Sequence, residues 1–135
     1  MLVHSAMRVT ARILTGSTYA LLGSDALRAP GARVDQAAST LAHMRKVVPL
    51  PKDDELMVRA NAAVQTVAGI AFALGKFPRV SALLLIGSLI PTTLAGHGFW
   101  RIEDPITRKL QRVQFHKNMA MIGGLFFAVL DGGRK

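Results

Sequence analysis

The chain has 135 residues, half of them hydrophobic, with 17 Lys and Arg against 8 Asp and Glu, a net charge of +9 and no cysteine. That length suits one domain rather than two, and the missing cysteine excludes disulfides, thiolate metal sites and a dithiol relay carried by the chain itself. The basic residues lie between apolar segments instead of forming one basic region, so no nucleic-acid partner is expected and the lipid bilayer, with its anionic headgroups, is the expected counterpart.

The first apolar segment runs from about Met7 to Leu27 and is free of charge from Ile13 to Ser24. Arg8 and Arg12 before it and the small residues Ala29 to Ala32 after it give it the outline of a cleavable secretory signal. Three comparable segments follow, so a retained spanning helix is the more economical reading. A long connection then runs from about Arg28 to Asp54. Within it Val34, Ala37, Ala38, Leu41, Met44 and Val48 recur at helical spacing opposite Arg33, Asp35, His43, Arg45 and Lys46, which predicts an amphipathic helix lying at the membrane interface. Pro49 and Pro51 around Leu50 end it.

The second segment spans about Glu55 to Gly75 and is uncharged from Ala60 onward. Only Lys76 and Phe77 intervene before Pro78, which predicts a tight turn between antiparallel neighbours. The third segment, Pro78 to Trp100, is the one convincing by length alone. From Val80 to Trp100 it carries no formal charge, and as helix that stretch covers roughly 30 Å, the thickness of a bilayer's hydrocarbon core. Pro91 should kink it and free a carbonyl, with Thr92 or Thr93 at hand to satisfy that group. The fourth segment, about Arg112 to Leu130, is uncharged from Asn118. Its Gly123-Gly124 pair and the Gly16 to Ala20 spacing of the first segment suit close helix contact, although glycine is common in membrane helices generally.

The three shorter uncharged runs also fit buried helices of a soluble bundle. Against that, the segments are apolar nearly all the way round and lack the wide polar face such a bundle turns to water. The expected fold is therefore all-α, a four-transmembrane-helix bundle with an amphipathic interfacial helix in the first long connection. One integral membrane domain, 1–135, would hold helices at about 7–27, 55–75, 78–100 and 112–130. The orientation stays open: the longer connections carry most of the basic residues, yet Arg8 and Arg12 before the first helix balance Arg28 and Arg33 after it.

Alternation of the helices brings one end of each to a common side. Asp25 closes the first helix, Arg59 and Asn61 open the second with Gln65 one turn further in, His97 and Trp100 close the third, and His116, Lys117 and Asn118 open the fourth. Such a polar layer could hold a polar headgroup or pass a proton. It is equally what interfacial anchoring looks like, with snorkelling cations and Asp25 paired to Arg59 or Lys117. His97 and His116 with Asp25 or Glu103 lack metal-ligand spacing, so no metal site is expected. Phosphate-loop, dinucleotide and hydrolase-elbow patterns are absent, and with no catalytic motif the chain reads as non-catalytic by itself.

Three features together carry a family resemblance: GHGFW from Gly96 to Trp100, QFHKNMAMIGGL from Gln114 to Leu125, and Val48-Pro-Leu-Pro ahead of the Gly-containing second helix. On these the chain resembles the DoxX family of small four-helix bacterial membrane proteins. The resemblance implies a multi-pass protein of the bacterial cell membrane, with relatives tied to a terminal quinol oxidase, to thiosulfate-to-quinone electron transfer, or to linking thiol-oxidising and superoxide-removing enzymes. It makes His97, Phe99, Trp100, Lys117 and Asn118 the positions most like the family's motif. The function this implies is an accessory or partner subunit in membrane redox metabolism. It would contact redox enzyme partners and bind a quinone-like headgroup at the polar layer, Lys117 and His97 bonding its oxygen, Asn118 orienting them and Trp100 packing on the ring. The other readings are a small-molecule or lipid transport component, disfavoured by the scarcity of polar residues in the half nearest the termini, and a purely structural subunit.

Overall fold

A computed structural model describes residues 1–132. It contains no strands among them and five α-helices: α1 Leu2–Arg28, α2 Arg33–Met44, α3 Asp54–Ala73, α4 Pro78–Gly96 and α5 Pro105–Asp131, with a 3-10 turn at Phe99–Arg101 leading into α5.

The chain signals its own boundaries. Asp53 caps α3 by accepting from the Leu56 amide at 3.0 Å, and Asp104 caps α5 by accepting from the Thr107 amide at 2.8 Å, with Pro105 in the first turn. Hydrogen bonds from Thr107 hold the Asp104 carboxyl below the usual carboxylate range. At the far end of α3 the Lys76 amide reaches Ala71 O and the Gly75 amide reaches Phe72 O, a Schellman closure that Gly75 permits at φ 69°. Phe77, left-handed at φ 46°, then turns the chain into α4. The reversal predicted at Lys76 and Phe77 is thus built from two positive-φ residues, Gly75 and Phe77, on either side of Lys76.

α1 packs chiefly on α3, α3 on α4 and α4 on α5, while α2 leans on α4 and α3. The α1–α3 contact is the tightest. A Cβ on Gly16 would lie 2.6 Å from Ala73 N, and one on Gly69 would lie 2.7 Å from both Ala20 N and Gly16 O. These glycines let two backbones touch, as membrane helices do where lipid gives no hydrophobic drive. The Gly123-Gly124 pair does something else: among the described residues, no side chain or neighbouring helix lies within 4 Å of a Cβ at either position. The core gathers Tyr19, Ala68, Phe72, Ala82, Leu85, Ile86, Leu89 and Leu125.

α3 and α4, the latter extended to Arg101, are long and apolar enough to cross a membrane, with 28% and 39% of their apolar windows buried inside the chain. Most of their apolar surface therefore faces outward, as Val67, Ile70, Leu83 and Ile90 do, which is unlike the buried core helix of a soluble protein. α1 and α5 each run 27 residues but carry charges well inside, Arg8 and Arg12 in one and Arg108 to Lys117 in the other. Both outrun their sequence-based bounds, α1 beginning at Leu2 and α5 at Pro105, because those bounds followed apolarity and the caps lie in polar sequence. α4 continues through Pro91, and the Thr92 hydroxyl donates to Ser88 O at 2.9 Å.

α2 turns Val34, Ala37, Ala38, Leu41 and Met44 toward the protein and leaves Arg33, Asp35 and His43 exposed. Arg45 fastens the return to α3, donating to Pro51 O at 2.9 and 2.7 Å and pairing with Asp54 at 2.7 Å.

Candidate functional site

The residues of the expected polar layer fall into two sets, one bonded between helices and one exposed. The inner half of the layer is a hydrogen-bond network between α3 and α4. Asn61 Nδ2 donates to Thr92 Oγ1 at 2.8 Å, Gln65 Nε2 donates to the same oxygen at 3.3 Å, and the Ser88 hydroxyl donates to Asn61 Oδ1 at 2.8 Å. The Thr92 hydroxyl itself donates to the Ser88 backbone carbonyl, so the amide and hydroxyl groups of this set are satisfied within α3 and α4. Gln65 lies one turn inward from Asn61 on the same face, which is why both reach one threonine.

A second pair of contacts ties α5 to the end of α4. Asn118 Nδ2 donates to Thr93 Oγ1 at 3.1 Å, and His97 Nδ1 lies 2.6 Å from Gln111 Oε1. His97 therefore faces a glutamine amide. Arg59 has its guanidinium shared between Glu55, 2.8 Å away on the same helix, and the Leu27 carbonyl at the end of α1. It satisfies one of the unpaired carbonyls that every helix C-terminus leaves.

The remaining expected residues lie outside this network. Asp25 is exposed and joins none of the ion pairs, so the anticipated pairing with Arg59 or Lys117 does not form. His116 is exposed, its Nδ1 2.8 Å from Arg112 O one turn back, and Lys117 is exposed beside it. Trp100 packs edge-on against Phe99 and Phe115, at 5.4 and 5.7 Å between ring centroids, with the Arg101 guanidinium 5.8 Å from its ring centre. His116 extends the cluster, 5.6 Å from Phe115. The result is an aromatic knot that still leaves Trp100 54% exposed beneath Arg101. A shallow depression of about 540 Å3 formed by α5 residues alone, among them Arg112, His116 and Lys117, lies on that outer face.

Ser88, Thr93 and Gln111 are the hydrogen-bond partners that the sequence reading left without a role at the polar layer. Ser88 and Thr92 are i and i+4 on α4, a spacing legible in advance. Gln111 fell just before the expected start of the fourth helix. No group of three or more His, Asp or Glu side chains among the described residues is arranged to hold a metal ion.

Helices with outward apolar surface, buried polar groups paired between them and an aromatic, cationic end define an all-helical membrane protein. A family model described as DoxX matches residues 7–98, and the chain belongs to that family. Asp25, Arg59, Asn61, Gln65 and His97 lie within the matched stretch, and Trp100, His116, Lys117 and Asn118 beyond it. No curated protein and no solved structure matches the chain.

Proposed function

We propose that this DoxX-family protein is a non-catalytic accessory subunit of membrane redox metabolism. It crosses the bacterial cell membrane with α1, α3, α4 and α5, and α2 lies at the interface. The division of the polar layer carries the reading: its buried atoms are spent on holding α3, α4 and α5 together, and its cations and Trp100 look outward. A face of that kind suits docking of a partner enzyme near the headgroups, where tryptophan and arginine are favoured contacts and rim cations steer acidic surfaces. The redox assignment comes from the family resemblance.

Two observations favour docking over the other readings. Ala82 and Leu85 are fully buried and Phe72, Leu89 and Leu125 nearly so, an apolar plug between the two ends that opposes a polar transport path. For a quinone-like headgroup gripped by Lys117 and His97, His97 already engages Gln111 and Lys117 stands exposed on another helix.

The test is affinity purification from gently solubilised native membranes. Arg112→Gln with Lys117→Gln should lose a co-purifying membrane enzyme that the wild type retains, with the thermal midpoint unchanged. Undiminished retention, or retention of a quinone that depends on Lys117 in place of a protein, contradicts the docking reading.

A further inference from the structure

At the end of the molecule opposite the polar layer, α1 and α5 stand apart and leave a cleft of about 720 Å3 floored by Phe72 and Leu125. Its mouth is charged. Arg8 Nε and Asp131 Oδ2 meet across it at 2.8 Å, and Arg12 lines the wall one turn further in. Lys76 and Arg79 are exposed at the same end, and Arg79 donates to Val129 O at 3.1 Å. Among the described residues, Arg8, Arg12, Lys76 and Arg79 thus stand against one nearby carboxylate, Asp131.

Arg12 is the unsettled member. Its Nε is buried and has no hydrogen-bond partner, and Tyr19 OH, on the same helix, is the other such atom among the described residues. A buried guanidinium N–H without an acceptor is costly and calls for an anionic or carbonyl oxygen. Beyond Arg12 the cleft turns apolar along Leu14, Met121 and Gly124 before ending near Thr18. Gly124 leaves this space open, since among the described residues no side chain or neighbouring helix lies within 4 Å of where its Cβ would stand. From Arg8 to Thr18 the helix rises ~15 Å. That is about half of the ~30 Å hydrocarbon core, or one leaflet.

We infer that the α1–α5 cleft is a binding site for one anionic phospholipid, with the phosphate at Arg12 and Arg8 and an acyl chain along the groove toward Gly124. The guanidinium of Arg12 lies against the α3–α4 turn, where a Cβ on Gly75 would stand 3.1 Å from Nη1, and by turning into the cleft it meets the phosphate as its acceptor; the net positive mouth selects anionic over zwitterionic lipid, and the chain covers apolar wall that neither helix covers. The inference rests on α1 and α5 lying in the bilayer.

Native mass spectrometry of the detergent-purified protein, delipidated and then offered phosphatidylglycerol or phosphatidylcholine, tests it. One phosphatidylglycerol per protomer should be retained through collisional activation that strips phosphatidylcholine. Arg12→Gln should weaken that retention about ten-fold, the worth of one charge-assisted hydrogen bond. Gly124→Leu, which fills the groove without touching Arg12, should weaken it comparably, and circular dichroism should show both variants fully helical. Equal retention of the two lipids, Arg12→Gln binding like the wild type, or a dimer that excludes lipid would overturn the site. Should the chain prove soluble without detergent, the membrane reading would fail instead, and the lipid inference with it.

Discussion

The two ends of this molecule handle polarity in opposite ways. At the end where α3 begins and α4 closes, Asn61, Gln65, Ser88 and Thr92 satisfy one another and Asn118 bonds Thr93, so polar groups act as glue between helices. At the other end α1 and α5 meet through Arg8 and Asp131 but leave a cleft between them, Arg12 Nε is buried without an acceptor, and apolar wall is left bare. The buried polar groups of the first end are satisfied within the chain, and Arg12 Nε at the other end is not. A polar cluster in a membrane helix is thus not itself a binding site; the informative sign is a polar atom that the fold leaves unpaired.

The largest effect should come from the α1–α3 seam that joins the ends. Gly69→Leu puts a side chain where a Cβ alone would sit 2.7 Å from backbone atoms of α1. It should cost about 3 kcal/mol or more and lower the thermal midpoint in detergent sharply. Gly123→Ala, with open space around it, should be neutral or stabilising by about 0.5–1 kcal/mol. If both behaved alike, the distinction between packed and open glycines would fail.

Next comes the glue. Asn61→Ala removes the donor to Thr92 and the acceptor of Ser88 and should destabilise by about 1–2 kcal/mol. A double-mutant cycle with Thr92→Val should show coupling between the two, and additive losses would mean they act separately. The smallest effect belongs to the loop before α5. Because the folded Asp104 carboxyl sits below its ordinary pKa, its cap is at full strength above the unfolded value of about 3.9 and is lost as pH falls through the lower folded value. Helicity should therefore slip at the start of α5 under strong acid, and hydrogen exchange at Thr107 would report it. Protection there that ignores pH would remove the cap from the account.

Helix number, the tight turn at Lys76, the amphipathic face of α2 and the gathering of Asn61, Gln65, His97 and Asn118 were legible in the sequence, because apolar periodicity and helix alternation decide them. The true starts of α1 and α5 were not, since an apolarity reading stops where the charges begin and overlooks Asp104-Pro105 as a helix opening. Nor could the chain order reveal that Lys117 and His116 look outward while Asn118, one residue on, turns in. A helix rotates 100° per residue, so a boundary set several residues late leaves the facing of each side chain undetermined. The lipid cleft was invisible for another reason: it depends on the gap that two helices leave between them.

The central claim is that the buried half of the polar layer holds the helices together and the exposed half meets a partner. The most direct measurement pairs thermal unfolding with partner retention for Asn61→Ala and for the Arg112→Gln, Lys117→Gln double variant. The account predicts a lowered midpoint with the partner kept in the first, and an unchanged midpoint with the partner lost in the second. The reverse pattern, an Asn61 variant of normal stability that loses its partner, would contradict it.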